Sequence, residues 1–180
     1  MQNRTKEHIL NAFNSLLNMH TIEDISINMI LKEADISKTT FYRYFKDKYD
    51  VMSYNYDVIL KESFDSAADL RELLLNIVIQ FHKLNERARK NLSAYKGANS
   101  TNDYLIDASM HFLEELSKKN RDGKGLSADE HFKTRIIIGG ISVTGNDWPI
   151  VEDDISSFRF CADSLYDLFP DSIKELKFIN

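Results

Sequence analysis

The residues between Ser37 and Lys48 combine three kinds of side chain that suit a nucleic acid. Thr39 and Thr40 offer short hydroxyl and methyl groups for base edges, and Arg43 offers a bidentate donor. The remaining polar groups of this run are phenols and cations that suit phosphate oxygens: Lys38, Tyr42, Tyr44, Lys46 and Lys48. The run therefore predicts a surface that reads bases and holds phosphates.

Two short helices joined by a tight turn are needed to position these side chains. Ser26 precedes an apolar helical face over Ile27 to Ala34 and is the expected N-cap of the first short helix. Ser37 is the expected N-cap of the second, which covers Lys38 to Tyr44. Residues 35–37 form the break between the two helices.

A longer amphipathic helix precedes this pair. It runs from Arg4 to Met19, with its apolar residues on one face: Ile9, Leu10, Phe13, Leu16 and Leu17. Phe41 and Phe45 lie four residues apart on the second short helix and are expected to enter the same core. A bracing helix followed by two short helices is the helix-turn-helix arrangement, which reads the major groove of DNA.

The run from Ile27 to Lys48, INMILKEADISKTTFYRYFKDK, resembles the DNA-binding signature of TetR-type transcriptional regulators. Its most specific part is Ser37 to Phe45, followed by Lys48, and the resemblance covers about residues 4–52. The TetR family usually has Gly where this chain has Asp35, a residue type that tolerates a left-handed backbone better than most. The family also often has His at Tyr44 and usually Gly at Thr21.

The resemblance implies a role for each polar residue of this region. Ser26, Tyr42 and Lys48 would contact phosphates, whereas Thr39, Thr40 and Arg43 would lie toward bases. Arg43 and Lys48 could instead be solvated surface charges, and Ser26 is an N-cap under either interpretation. The full set of expected DNA-binding residues is Ser26, Lys38, Thr39, Thr40, Tyr42, Arg43, Tyr44 and Lys48.

The rest of the sequence predicts further helices. Its two prolines and six glycines are too few for many short strands joined by turns. Apolar residues at helical spacing predict helices over Lys48 to about Ala68, Leu70 to Leu92, Asp103 to Lys119, Ala128 to Val143 and Asp154 to Phe169. We expect an all-α fold, with a three-helix helix-turn-helix domain over residues 1–50 and a helical bundle for dimerisation and ligand sensing over residues 51–180.

The resemblance implies that the last two long helices pack against their copies as a four-helix dimer interface. Burial within one subunit is the alternative. A homodimer would present two recognition helices to successive major grooves about 34 Å apart.

The resemblance also implies a pocket for an unknown small-molecule effector within about residues 51–145, extending to Trp148. The candidate lining residues could instead be ordinary core residues: Phe81, His82, Tyr104, Met110, His111 and Trp148. His82 and His111 have no carboxylate at a metal-binding spacing, so we expect no metal.

The net charge of −5 is unevenly distributed. Residues 1–50 carry seven Lys or Arg and seven Asp or Glu, whereas residues 51–180 carry 16 and 21. The run from Ile36 to Lys48 has four cations against the single carboxylate of Asp47. A small basic surface on an acidic chain is compatible with a DNA partner.

Other classes of protein find little support in the sequence. The single Cys161 excludes an intramolecular disulfide, and the longest apolar run, Ile136 to Val143, is too short to span a membrane. A polar start without a signal-peptide core predicts a cytoplasmic protein. Without a nucleophile elbow, dinucleotide fingerprint or Walker motif, we expect neither an enzyme nor a cofactor.

The sequence therefore predicts a TetR-type regulator that binds a palindromic double-stranded DNA operator as a homodimer. We expect a repressor that a small-molecule effector releases from the operator. The alternatives are a TetR-like activator and a helical protein-interaction module controlled by a protein partner.

Overall fold

The computed structural model of the chain describes residues 2–84, 86–95, 101–144 and 154–178. All regular structure in these residues is helical, so the predicted all-α fold is confirmed. The helices are α1 Gln2–Leu17, α2 Ile27–Glu33, α3 Lys38–Tyr44, α4 Lys48–Asp65, α5 Leu70–Lys83, α6 Glu86–Ala94, α7 Thr101–Asn120, α8 Ala128–Thr144, α9 Ile155–Leu168 and α10 Asp171–Lys174.

Contacts divide the chain into two compact units. The first unit comprises Met1–Val58 and Leu84–Thr101, and the second comprises Ile59–Lys83 and Asn102–Asn180. The boundary therefore falls inside α4, and α6 belongs with the N-terminal helices. The predicted boundary at residue 50 divides the chain by function, whereas these two units are defined by their contacts. The functional boundary therefore stays a prediction.

The first unit is built around the apolar face of α1. Its core contains the residues predicted from the spacing in α1, together with others from the turn after it and from α2 to α4: Ile9, Phe13, Leu17, Ile22, Ile25, Ile30, Phe41, Val51, Met52 and Tyr56 are all 0% exposed. Asn55 of α4 is also buried, and its amide pairs with that of Asn14 through two hydrogen bonds of 3.0 and 3.3 Å. This pairing satisfies both amides where an unpaired one would be costly.

Helix α6 packs against the end of α1, where carbonyl groups have no partner within the helix. The Asn91 amide donates to the carbonyls of Leu17 and His20, at 2.9 Å each, and the Arg87 guanidinium donates to the carbonyl of Met19 at 3.1 Å. The single helix predicted from Leu70 to Leu92 is therefore wrong, because α5 and α6 are separate helices. The apolar spacing continues through Leu84 and does not reveal the break.

The second unit has its own core, to which α5, α7, α8 and α9 contribute. Leu74, Val78, Leu113, Ile138 and Phe158 are among its buried residues. Helix α8 begins at a reciprocal capping box: the Ser127 N–H donates to Glu130, and the Glu130 N–H donates to the Ser127 hydroxyl. After Pro170 the short helix α10 follows, which the sequence does not predict; Ile173 on it is fully buried.

Candidate nucleic-acid interface

Helix α3 has one buried side and one exposed side. Phe41 and Phe45 are 0% and 3% exposed, which confirms their predicted place in the core and fixes how α3 is rotated. As a result, the exposed side carries Lys38, Thr39, Tyr42 and Arg43. These positions alternate at spacings of one and three along the chain, so that they form one continuous polar face of the helix.

The start of α3 is held by Ser37, as predicted. Its hydroxyl accepts the Thr40 N–H at 3.1 Å and lies 2.9 Å from the Thr40 hydroxyl. Thr40 is half-buried, and its hydroxyl already has a partner, whereas Thr39 is exposed. Of the two threonines, Thr39 therefore offers the freer hydroxyl on the exposed face.

Tyr42 is a large aromatic side chain that is 47% exposed. Its ring is nearly perpendicular to that of Phe41, with 5.4 Å between the ring centroids, and the Lys38 ammonium lies 5.9 Å from the Tyr42 centroid. A cation beside a phenol at the end of an exposed helical face suits a phosphate group.

The cations of α3 are not neutralised by the neighbouring carboxylates. Asp47 Oδ1 accepts the N–H groups of Tyr49 and Asp50 at 2.8 and 2.9 Å, and Asp50 accepts the Lys46 N–H at 2.9 Å. Both carboxylates thus cap the start of α4. Within the described part of the chain, Arg43 forms no ion pair with either of them. The spacing Asp47-x-x-Asp50 is the sequence signal for this cap, which sequence reasoning missed.

The other three predicted DNA-binding residues lie outside the exposed face of α3. Ser26 is exposed and caps α2, accepting the Met29 N–H at 3.3 Å, whereas Tyr44 is half-buried. Lys48 is half-buried as well, and its ammonium group is bound to backbone carbonyls of the turn before α2. The phosphate contact implied for Lys48 by the resemblance therefore competes with an existing set of hydrogen bonds.

The residues predicted for an effector pocket differ widely in burial. Met110 is buried in the core of the second unit, whereas His111 is exposed. The ring of half-buried His82 lies 4.8 Å from that of Phe158, centroid to centroid. Phe81 and Tyr104 are half-buried, and Trp148 lies outside the described residues. The pocket stays a prediction.

The described residues include neither a metal-binding cluster nor a helix that could span a membrane. They contain no group of three or more His, Cys, Asp or Glu side chains arranged to hold a metal ion. None of the helices they form has both the length and the apolar character that crossing a membrane requires.

Comparisons with known proteins agree with this arrangement. Residues 9–54 match the family model of bacterial regulatory proteins, tetR family. Among solved structures, the fatty acid degradation regulator FadR from Bacillus halodurans is similar, with a TM-score of 0.56 and 17% sequence identity over 89% of this chain and 94% of that chain. At that identity the likeness concerns the fold. No curated protein sequence matches this chain.

Proposed function

We propose that this chain is a TetR-type regulator that represses transcription as a homodimer on a palindromic operator and is released by a small-molecule effector, because residues 9–54 match the family model of bacterial regulatory proteins, tetR family. The two copies of α3 would enter successive major grooves, about 34 Å apart. The protein would act in the cytoplasm and perform no catalysis.

The exposed face of α3 is the observation that carries this proposal. It presents two cations, a threonine hydroxyl and a phenol side by side on a helix whose opposite side is anchored by two buried phenylalanines. Arg43 is the group best suited to a guanine edge, because its planar guanidinium donates two parallel hydrogen bonds. Lys38 and Tyr42 are proposed to contact the phosphates that flank the groove.

Exposed apolar side chains on α8 and α9 support the proposed dimer. Phe132, Ile136 and Val143 are 66%, 57% and 63% exposed and lie on one side of α8, opposite its buried residues. On α9, Phe160 and Leu168 are 63% and 60% exposed and lie about two turns apart. Large apolar groups in such rows are typical of a surface that a second copy covers.

The effector is proposed to bind in the second unit, beside α5 and α7. Phe81, His82, Tyr104 and Met110 remain candidate contacts there. An effector can release DNA only if it binds more tightly to the dimer whose α3 helices are wrongly spaced for the operator.

The test of DNA binding is a fluorescence-anisotropy titration with a duplex of the DNA that flanks the protein's own gene. Arg43→Ala and Lys38→Ala should each weaken binding by about tenfold or more, since each removes a base or phosphate contact. Lys61→Ala is the matched control, because Lys61 is an exposed lysine of α4 in the second unit. Equal affinity for all four proteins would exclude the α3 face and favour the protein-interaction alternative.

A further inference from the structure

The Lys48 ammonium group is bound by backbone groups of the protein. Its Nζ donates to the backbone carbonyl oxygens of Ile22, Ile25 and Glu23, at 2.6, 2.7 and 2.9 Å. An ammonium group has three N–H bonds, so these three carbonyls use its whole donor capacity. The Tyr49 ring adds a cation–π contact, with its centroid 5.3 Å from Nζ.

The three carbonyls belong to the turn between α1 and α2. The side chains of Ile22 and Ile25 are fully buried, so the turn is anchored in the core on one side and held by Lys48 on the other. Ser26, the N-cap of α2, is the next residue along the chain. The position of Lys48, the first residue of α4, is therefore coupled directly to the point at which α2 begins.

We propose that Lys48 is a positioning residue for DNA binding rather than a phosphate contact. It ties the start of α4 to the turn before α2, and so holds the two helices that lie on either side of α3 in the chain. To reach a phosphate, its ammonium would have to leave three charge-assisted hydrogen bonds, two of them partly buried. The proposal rests on the DNA binding proposed above.

Salt dependence separates the two roles. A lysine that neutralises a phosphate displaces counterions, and its loss reduces the slope of log K against log salt by about 0.9 for each phosphate. A positioning lysine neutralises no phosphate. Its loss lowers affinity while the slope stays unchanged.

The experiment titrates the full-length protein against the gene-flanking duplex at several salt concentrations between about 50 and 200 mM. Lys46→Met is the matched control, because Lys46 is exposed and lies two residues before Lys48. It should reduce the slope. Lys48→Met removes all three hydrogen bonds and should weaken binding by about tenfold or more, with the wild-type slope and a lower melting temperature without DNA.

Lys48→Arg distinguishes the roles a second time and decides the matter if Lys48→Met does not fold. The planar guanidinium keeps the charge but cannot direct its donors to three converging carbonyls, so binding and melting temperature should both fall. A Lys48→Arg protein that binds like wild type, or a slope that Lys48→Met reduces by about 0.9, the effect of one lost phosphate contact, would overturn the proposal. If the wild-type protein does not bind DNA, the proposed function fails. The coupling between Lys48 and the turn is then tested by stability alone, and it is rejected if both Lys48 variants melt at the wild-type temperature.

Discussion

Asp35 ends α2 in a conformation that most residues avoid. Its φ is 46°, and the N–H groups of Asp35 and Ile36 donate back to the carbonyls of Lys32 and Leu31 at 3.3 and 3.1 Å. This is a Schellman motif, whose left-handed residue is usually glycine because a Cβ atom strains the backbone there. Asp35 therefore adopts the left-handed backbone conformation that an aspartate is expected to tolerate in this turn.

We predict that Asp35→Gly raises the free energy of unfolding by about 0.5 to 1 kcal/mol, because it relieves this strain. Urea unfolding followed by circular dichroism is the measurement. Glu33→Gly puts a glycine at the last residue of α2, also removes the hydrogen bond that Glu33 accepts from the Ser15 hydroxyl, and should lower the free energy by about 1 kcal/mol. A loss of stability in Asp35→Gly would contradict the strain argument.

Glu130 is a buried carboxylate that is fully engaged. It accepts hydrogen bonds from the backbone and hydroxyl of Ser127, at 2.8 Å each, and pairs with Arg121 at 2.9 Å. Burial acts to raise the pKa of Glu130, but the hydrogen bonds from Ser172, Ser127 and Arg121 outweigh it and lower the pKa from 4.5 to about 2. The charged form of Glu130 therefore stabilises the second unit.

This lowered pKa predicts a pH dependence of stability. Because the folded pKa lies below that of the unfolded chain, the stabilisation is complete above about pH 4.5 and is lost as the pH falls toward 2. Its full size is on the order of 3 kcal/mol. Glu130→Gln should therefore be less stable than wild type at pH 6, and the difference should shrink by pH 3 in urea unfolding.

Asp129→Asn is the control for this prediction. The Asp129 carboxylate is 70% exposed and pairs with Lys133 on the surface, so its loss should change stability by less than about 1 kcal/mol at either pH. A wild-type advantage over Glu130→Gln that is the same at pH 6 and pH 3 would show that the charge of Glu130 is not what stabilises the unit.

Short-range contacts of single residues were predictable from the sequence, and long-range ones were not. The N-caps Ser26 and Ser37 act within three residues, and Phe41 and Phe45 share one helical face, so residue type and spacing were enough. Lys48 instead binds carbonyls that lie 23 to 26 residues earlier. Backbone groups leave no signature in a sequence, so these hydrogen bonds could not be predicted, whereas the phosphate contact of Lys48 is implied by the family resemblance and stays a prediction.

At the scale of elements, the polar contacts of α6 with the end of α1 carry a prediction. Asn91→Ala leaves the carbonyls of Leu17 and His20 without their donor and should lower the free energy of unfolding by about 1 to 3 kcal/mol. Lys90→Ala is the control on the neighbouring position, where the side chain is exposed. Thermal unfolding in which both variants lose the same stability would argue against a specific role for the Asn91 amide.

The positions of α1 to α4 follow from hydrophobic spacing and capping residues, whereas α6 and α10 do not. The break before α6 depends on donors that meet the carbonyls at the end of α1, which is a tertiary contact. Helix α10 consists of only four residues and is fixed by the burial of Ile173. Neither is long enough, or periodic enough, to be separated from its neighbours in the sequence.

At the scale of the whole molecule, the exposed apolar rows of α8 and α9 predict how the proposed dimer is broken. Ile136→Glu and Phe160→Glu each place a charge where a second copy would bury an apolar group, so both proteins should sediment as monomers at micromolar concentration. His111→Glu adds the same charge at an exposed position of α7 and should remain dimeric. Wild-type dimerisation in all three variants would show that the subunits meet elsewhere.

The distribution of charge along the chain supports the proposal that the N-terminal helices contact DNA and the rest of the chain does not. The excess acidity lies entirely in residues 51–180, whereas the face of α3 keeps its cations because Asp47 and Asp50 cap α4. A negative body is repelled by phosphates, so the proposed DNA contact would be confined to the N-terminal helices.

Hydroxyl-radical footprinting of the gene-flanking DNA tests the central claim most directly. If two copies of α3 enter successive major grooves, the wild-type protein will protect two windows whose centres lie about one helical turn apart. Arg43→Ala will leave both windows unprotected at the same protein concentration. A single window, or protection that persists in Arg43→Ala, would contradict a homodimer that reads DNA through α3.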